Sequence, residues 1–455
     1  MRKHLTIAVV LTLVLASVGG VQAADVGGEL IGELRVLTKE DKPLEDAVAS
    51  LAVKTDIEGE LGEGGEWKLG LDIRLDKALS LFRDEIWDAD HTDDAEDHIA
   101  LELDEAYLNL YSISGEPLDL RLGKQYVDVG VGDGITVFSL TRPVAANFID
   151  QLQNTRAVTG VRADYYADDV SITAFLQPRL TPTQTGRRIE AVYGQVEQAA
   201  LLSLVPPEVA QMGINPAEMT IIPDIHKEVP TYDDDGMGIT LKASRLLGTF
   251  DVGVVYQKGY ASTPIIRDFD FLLDPSTQSA RIELTQGYLP LQKVGLTAEG
   301  AWQDAGIWGE VAYNIPKEGF FSSKMDTEAL PEEYRFNSDK HVTGLVGMDY
   351  FWENGVYING QIIHGFPQEI TKSMVNTYLT GDIYQDFLNN RLRLEGRLVY
   401  CFDDQGWMIM PEAVYQLDAN KKCFGKLAFP GGDEQSLFRQ MEDLTQVLVG
   451  ISISF

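Results

Sequence analysis

The chain has 455 residues, of which 44% are hydrophobic, and its mean hydropathy is near zero, which excludes a bundle of membrane helices. Its formal charge of −33, from 37 basic and 70 acidic residues, excludes nucleic-acid binding through phosphate contacts. By length alone two or three soluble domains would be expected, but no Pro-, Gly- or Ser-rich linker divides the chain, so residues 24–455 are expected to form one domain.

The first segment reads Met1-Arg2-Lys3-His4, then an apolar run from Leu5 to Val18, then Val21-Gln22-Ala23. A basic start, a short apolar stretch and small residues before a cut predict a secretory signal peptide over 1–23. The apolar run falls short of the roughly 20 residues that span a bilayer.

Beyond it, strand-length segments alternate between apolar and polar residues. In 67–76, Trp67, Leu69, Leu71, Ile73 and Leu75 share one face, and Lys68, Gly70, Asp72, Arg74 and Asp76 the other. The same alternation runs through 169–177 and 391–400. In chain order the predicted strands are 27–38, 48–61, 66–76, 98–111, 118–127, 156–166, 169–178, 236–246, 249–259, 291–303, 306–315, 341–351, 356–365, 377–387, 391–402, 406–416, 422–429 and 445–455. That makes 18, or 16 if the weakest (the first, the second and 422–429) are not separate strands. Short turns alternate with long polar connections, of which 179–235 is the longest. The last strand, Gln446 to Phe455, places Val447, Val449, Ile451, Ile453 and Phe455 on one oily face.

Strands of about ten residues with one oily face fit a transmembrane antiparallel up-and-down β-barrel. Such a sheet must close, because an open edge in hydrocarbon leaves N–H and C=O groups unpaired. With an even strand number and short periplasmic turns, both termini fall in the periplasm, and the location expected is the cell outer membrane of a Gram-negative-type envelope, in contact with lipid and lipopolysaccharide. The 42 Gly, 18 Phe, 18 Tyr and 6 Trp suit turns and interfacial girdles.

By parity the inward-facing charges include Asp72, Arg74, Arg121, Arg162, Lys242, Glu299, Glu310, Asp349, Arg393, Glu395, Arg397 and Glu412, the candidates for lining a lumen. The bland alternative is that most of them pair across strands and stiffen the wall. Arg391, Arg393 and Arg397 form the sharpest basic row, with Glu395 among them. Two acidic outer loops stand out, one holding Asp88, Asp90, Asp93 and Asp94, the other Asp233, Asp234 and Asp235. Read as a calcium loop starting at Asp88, the first fails, with Asp93 where Gly is required and Ile99 where Glu is required. No metal site and no cofactor are expected. Cys401 and Cys423 fall at opposite ends of different strands, so no disulfide is expected.

The stretch Arg121-Leu-Gly-Lys-Gln125, followed by Val129-Gly-Val-Gly-Asp-Gly134 and Arg142-Pro143, resembles a broad group of porin-like, alginate-export-related outer-membrane barrels. Pro411-Glu-Ala-Val-Tyr415, Phe429-Pro-Gly-Gly432 and the final Ser-Phe also look like that group, although Val129 stands where its members often carry Trp. A homotrimer is a common assembly among the porins it resembles.

With 16–18 strands a barrel has an aqueous lumen. The expected function is a pore for passive diffusion of ions and small hydrophilic solutes, narrowed by the loop 179–235 and secondarily by 128–155. Two alternatives stay open. One is a channel specific for an acidic saccharide, drawn by the arginine row; the other is a structural or adhesive barrel with a plugged lumen. An enzyme is not expected, since His91, His98, His226, His341 and His364 form no zinc pair and flank no nucleophile motif.

Overall fold

A computed structural model describes residues 24–39, 42–79, 98–143, 155–183, 220–228, 230, 237–274, 279–325, 335–441 and 445–455. The expected signal peptide and both acidic outer loops lie outside the described residues.

Nineteen strands are present among them, and 18 close into one antiparallel barrel. They run β1 (Asp25–Lys39), β2 (Lys42–Glu60), β3 (Gly65–Leu79), β4 (His98–Leu110), β5 (Leu118–Gln125), β6 (Val158–Ala167), β7 (Val170–Gln177), β8 (Thr220–Lys227) and β9 (Gly238–Leu247). They continue with β10 (Phe250–Asp274), β11 (Ser279–Trp302), β12 (Ala305–Pro316), β13 (His341–Phe351), β14 (Val356–His364), β15 (Thr377–Phe387), β16 (Leu392–Cys401), β17 (Trp407–Asp418), β18 (Lys421–Gly431) and β19 (Gln446–Ser454). Each barrel strand pairs with its neighbour in sequence, β7 pairs with β9, and β19 closes on β1. The closure gives each strand of the barrel wall a partner on both sides and removes the sheet edge there. Gly28 and Phe455 exchange both backbone hydrogen bonds at 3.0 Å, so the chain's first and last strands meet at one rim.

That rim carries the short turns. The β15–β16 turn holds three consecutive left-handed residues, Leu388, Asn389 and Asn390, with φ of 54°, 57° and 63°. Asn tolerates this conformation because its short amide bonds locally. The opposite rim carries the long connections.

Side-chain direction follows strand parity. The outward positions are apolar and exposed, as at Leu75, Leu101, Leu122, Ile172, Val254, Leu296, Val346, Ile362, Leu394 and Ile451. Inward positions hold the polar and charged residues and, in patches, buried apolar ones. Cys401 ends β16 near the long-loop rim, Cys423 begins β18 near the short-turn rim, and both thiols are free.

Two features depart from the alternation reading. β10 and β11 continue past Lys258 and Leu291, where pairing to β9 and β12 ends, into an arm that pairs with itself out to Asp274 and Ser279. Expected ends at 259 and 291 reflect Gly259 and the Ala261-Ser262-Thr263-Pro264 step after it, which local patterning reads as a loop. β8, within the longest connection, pairs in parallel with residues 279–286 of this arm. The described part of that connection joins the arm, while its residues 184–219, on which the expected narrowing of the lumen rests, lie outside the described residues; the loop after β5, within the expected 128–155 segment, turns inward.

Candidate functional site

The inward segment is the β5–β6 connection. From Tyr126 to Pro143 it carries alternating apolar residues, and Val127, Val129, Ile135, Val137 and Phe138 are each at most 6% exposed. They pack on inward-facing wall residues, namely Val158, Phe175, Val255, Trp308, Ala312, Leu345 and Ile363. Each such side chain removed from water stabilises the contact by roughly 1.5–3 kcal/mol, which is why this loop lies on the wall instead of extending into solvent. The patch it covers spans β6 to β14.

One carboxylate in that patch organises the loop's backbone. Glu310 on β12 is 5% exposed. Its Oε1 accepts from the N–H of Val131 at 2.5 Å and of Gly132 at 2.8 Å. Its Oε2 accepts from Thr136 Oγ1 at 2.7 Å and from the N–H of Val137 at 2.9 Å. A buried charge is tolerated only when hydrogen-bonded, and here four donors converge on it. The approach requires glycine at 130, where a Cβ would collide with Thr136 Oγ1 and Glu310 Oε1. Gly132 is constrained likewise by the carbonyl of Ile135 and the side chain of Leu345. The Gly-rich run 130–134 is thus a tight backbone cradle around a carboxylate, set inside a barrel.

Neighbouring side chains hold the rest. Lys293 on β11, 4% exposed, donates from Nζ to the carbonyl of Val137 at 2.6 Å. Gln361 on β14 accepts from Asp133 N–H at 3.1 Å and donates to Asp133 O at 2.7 Å, while Trp308 Nε1 donates to it at 2.8 Å. Asn359 Nδ2 donates to Asp133 Oδ2 at 2.5 Å. Arg142 and Asp128 close the neck of the loop with a 2.7 Å ion pair.

The opposite wall, β15 to β19 and β1 to β4, is different. Its inward residues from the short-turn rim to mid-barrel are charged, and they pair across neighbouring strands. Arg393 meets Asp386 at 2.9 Å, Arg397 meets Glu395 and lies 3.9 Å from Glu412, and Lys426 lies 3.3 Å from Glu412. Lys422 meets Glu29 at 3.1 Å, Arg74 meets Glu33 at 3.7 Å, and Lys68 meets Glu105 at 3.1 Å. The basic members keep contact with water, Arg74 at 31% exposure, Lys426 at 25% and Arg397 at 23%, while Glu105, Glu395 and Glu412 beside them are 11–13% exposed. Between the loop tip and this wall lies a recess lined by Asp133, Asn359, Asp382, Arg397 and Met410.

Nearer the long-loop rim the same wall is covered. Tyr378, Val399, Met408 and Met410 form a buried cluster joined by Phe366 and Phe438. Glu369, in the β14–β15 connection, accepts from Phe366 N–H, Asn376 N–H, Asn376 Nδ2 and Tyr378 OH. Burial pushes its carboxyl up, against the downward pull of those hydrogen bonds.

The predicted inward charges fall as follows. Arg74, Arg393, Glu395, Arg397 and Glu412 belong to the open ionic wall. Asp72 on β3 opposes Lys54 and Glu102. Arg121 lies over the Tyr107 ring at 4.4 Å, and Arg162 pairs with Asp164 at 2.7 Å. Lys242 opposes Thr173 and Val255, Glu299 opposes Asp251 and Trp308, and Asp349 accepts from Gly306 N–H at 3.0 Å. Glu310 stands apart: it lies beneath the loop, bound to it on all sides, and is closed off from the lumen. The arginine row is matched by Asp386, Glu395 and Glu412, so it presents no net basic track. Lys293, Asn359, Gln361, Asp382 and Lys426 were not singled out by sequence. Their inward parity was readable, but which of them would meet the loop was not.

No family model and no curated protein matches the chain. The likeness of its loop motifs to alginate-export-related barrels therefore has no support beyond the motifs themselves. Among solved structures, two engineered variants of the Rhodopseudomonas blastica porin align over 95% of this chain and 100% of theirs. One, with five substitutions, is 11% identical and the other, a triple mutant, 12%, each with a TM-score of 0.40.

Proposed function

We propose that the protein is an outer-membrane channel for passive diffusion of ions and small hydrophilic solutes, its lumen narrowed on one side by the loop 126–143. The observation that carries this reading is the contrast across the lumen. The loop buries its apolar residues on β6–β14, while the ionic side chains facing it keep contact with water. A plugged barrel would bury that wall, because leaving charges beside a dry plug costs several kcal/mol per ion.

The outward apolar face supplies the lipid contact, with the short-turn rim, and so both termini, on the periplasmic side. Residues 1–23 act as the export signal. The acidic runs Asp88–Asp94 and Asp233–Asp235, which lie outside the described residues, are assigned to outer loops by chain order, and clustered carboxylates raise the local concentration of cations. The paired wall charges leave selectivity to the acidic excess, so a modest preference for cations is expected.

Planar-bilayer recording of the refolded protein under a salt gradient tests the reading. Discrete conductance steps with a cation-biased reversal potential are expected. Folded β-protein that gives no steps would contradict it and favour a plugged structural barrel.

A further inference from the structure

Inward parity at the short-turn rim is occupied by rings. Phe351 on β13 is directly opposed to Tyr357 on β14, and Tyr357 to Tyr384 on β15. The two tyrosines stack, with centroids 4.7 Å apart and planes 28° from parallel. Arg393 of β16 lies over Tyr384 at 4.2 Å from the ring centroid. Its guanidinium is held there by two hydrogen bonds to Asp386, both 2.9 Å. Tyr357 OH donates to Asp349 Oδ2 at 3.0 Å. Phe351 is 58% exposed.

An interfacial girdle does not explain these rings. The outward positions at the same level already hold a girdle-like pair, Tyr350 and Trp352, in edge contact at 5.1 Å. Residues 351, 357 and 384 have the opposite parity and face the lumen. Tyr384 is covered by Tyr357 on one face and by Arg393 on the other, so the ring surface most open to the lumen is that of Phe351, with half-buried Tyr357 beside it. Apolar ring surface kept wet in a channel is unfavourable by the hydrophobic effect, so a passing molecule that covers it gains binding free energy. The strip begins two residues from Asn359 and Asp382, which border the loop tip, or about 7 Å further along the strands. A solute leaving the narrowing meets it next.

Resting on the channel reading, we propose that this strip is a binding site for a neutral saccharide. Sugar rings present flat C–H faces that cover aromatic rings, and hydroxyls that need paired donors and acceptors. The strip offers both, with Asp386 and Asp349 as fixed acceptors and the Arg393 guanidinium as a planar donor. The charges beside it are matched, Arg393 by Asp386 and Arg397 by Glu395, which removes the net field that would select an anion.

The test is ion current through the reconstituted protein while maltotriose or cellotriose is titrated. Concentration-dependent interruptions of the current are expected, absent with the acyclic polyol sorbitol. Phe351→Ala, which removes the exposed ring, should weaken the blocking constant about tenfold, and Tyr384→Ala, whose ring has neighbours on both faces and acts by holding Tyr357 and Arg393, about threefold. Tyr350→Ala, on the outward face, should leave it unchanged. Normal conductance with no interruption by either trisaccharide overturns the site and leaves the channel reading intact. So does an interruption that survives both inward substitutions undiminished. Folded protein without conductance overturns the channel reading, and the site with it.

Discussion

The two halves of the barrel wall obey one rule outside and two rules inside. From β6 to β14 the inward positions hold Phe175, Val255, Ala312, Leu345 and Ile363, all at most 6% exposed beneath the loop. From β15 through β19 to β4, on the short-turn side of the buried Tyr378–Met410 cluster, they hold ion pairs whose basic members keep contact with water. The same alternation builds both halves, and both present apolar residues outward. The difference shows that inward composition decides where a loop lies: an apolar inner patch needs a cover, and an ionic one is best left wet.

The comparison breaks most severely if the covered half loses its centre. Glu310→Ala leaves three backbone N–H groups and a hydroxyl without their acceptor, at about 1–3 kcal/mol for each donor that finds no water. The expected outcome is release of the loop, read as larger and noisier conductance and as rapid proteolysis within 127–142. Phe138→Ala removes a ring that is 0% exposed and should cost about 3–5 kcal/mol of loop docking, measured by the same proteolysis. Lys293→Met strips the donor from the Val137 carbonyl and should cost roughly 1–3 kcal/mol, with the loop still docked and hydrogen exchange faster at 135–139. On the open half, Lys426→Gln should change stability by less than about 1 kcal/mol, since solvated pairs contribute little. It should instead shift the reversal potential toward cations. A Lys426 substitution as destabilising as Phe138→Ala would erase the distinction between the halves.

Much of the architecture was legible in the residues. Period-two patterning located all 18 barrel strands, because a wall between two unlike environments writes its parity at every position. It stopped short at the β10–β11 arm, where both faces see protein or water and the alternation fades. The inward loop was harder. The segment 128–155, with Val129-Gly-Val-Gly-Asp-Gly134, ranked as a narrowing loop only second to 179–235, because length ordered the two and length says nothing about what a loop packs against. A sharper signal was available in Val255 and Ile363, apolar residues at inward positions of strands already apolar outward at Val254 and Ile362. Strands apolar on both faces call for a cover. That Glu310 would sit beneath this cover, while Glu412 at the same parity stayed in the lumen, depended on contacts between residues 170 or more apart, which no local pattern records.

Thiol accessibility in the conducting state tests the central claim most directly. In a background carrying Cys401→Ser and Cys423→Ser, Lys426→Cys on the open half and Ala312→Cys under the loop would each be exposed to a charged methanethiosulfonate during single-channel recording. Stepwise reduction of the current is expected for Lys426→Cys and no change for Ala312→Cys, whose parent side chain is 0% exposed. Modification at Ala312→Cys with Lys426→Cys left inert would contradict it, placing the path on the side assigned to the loop.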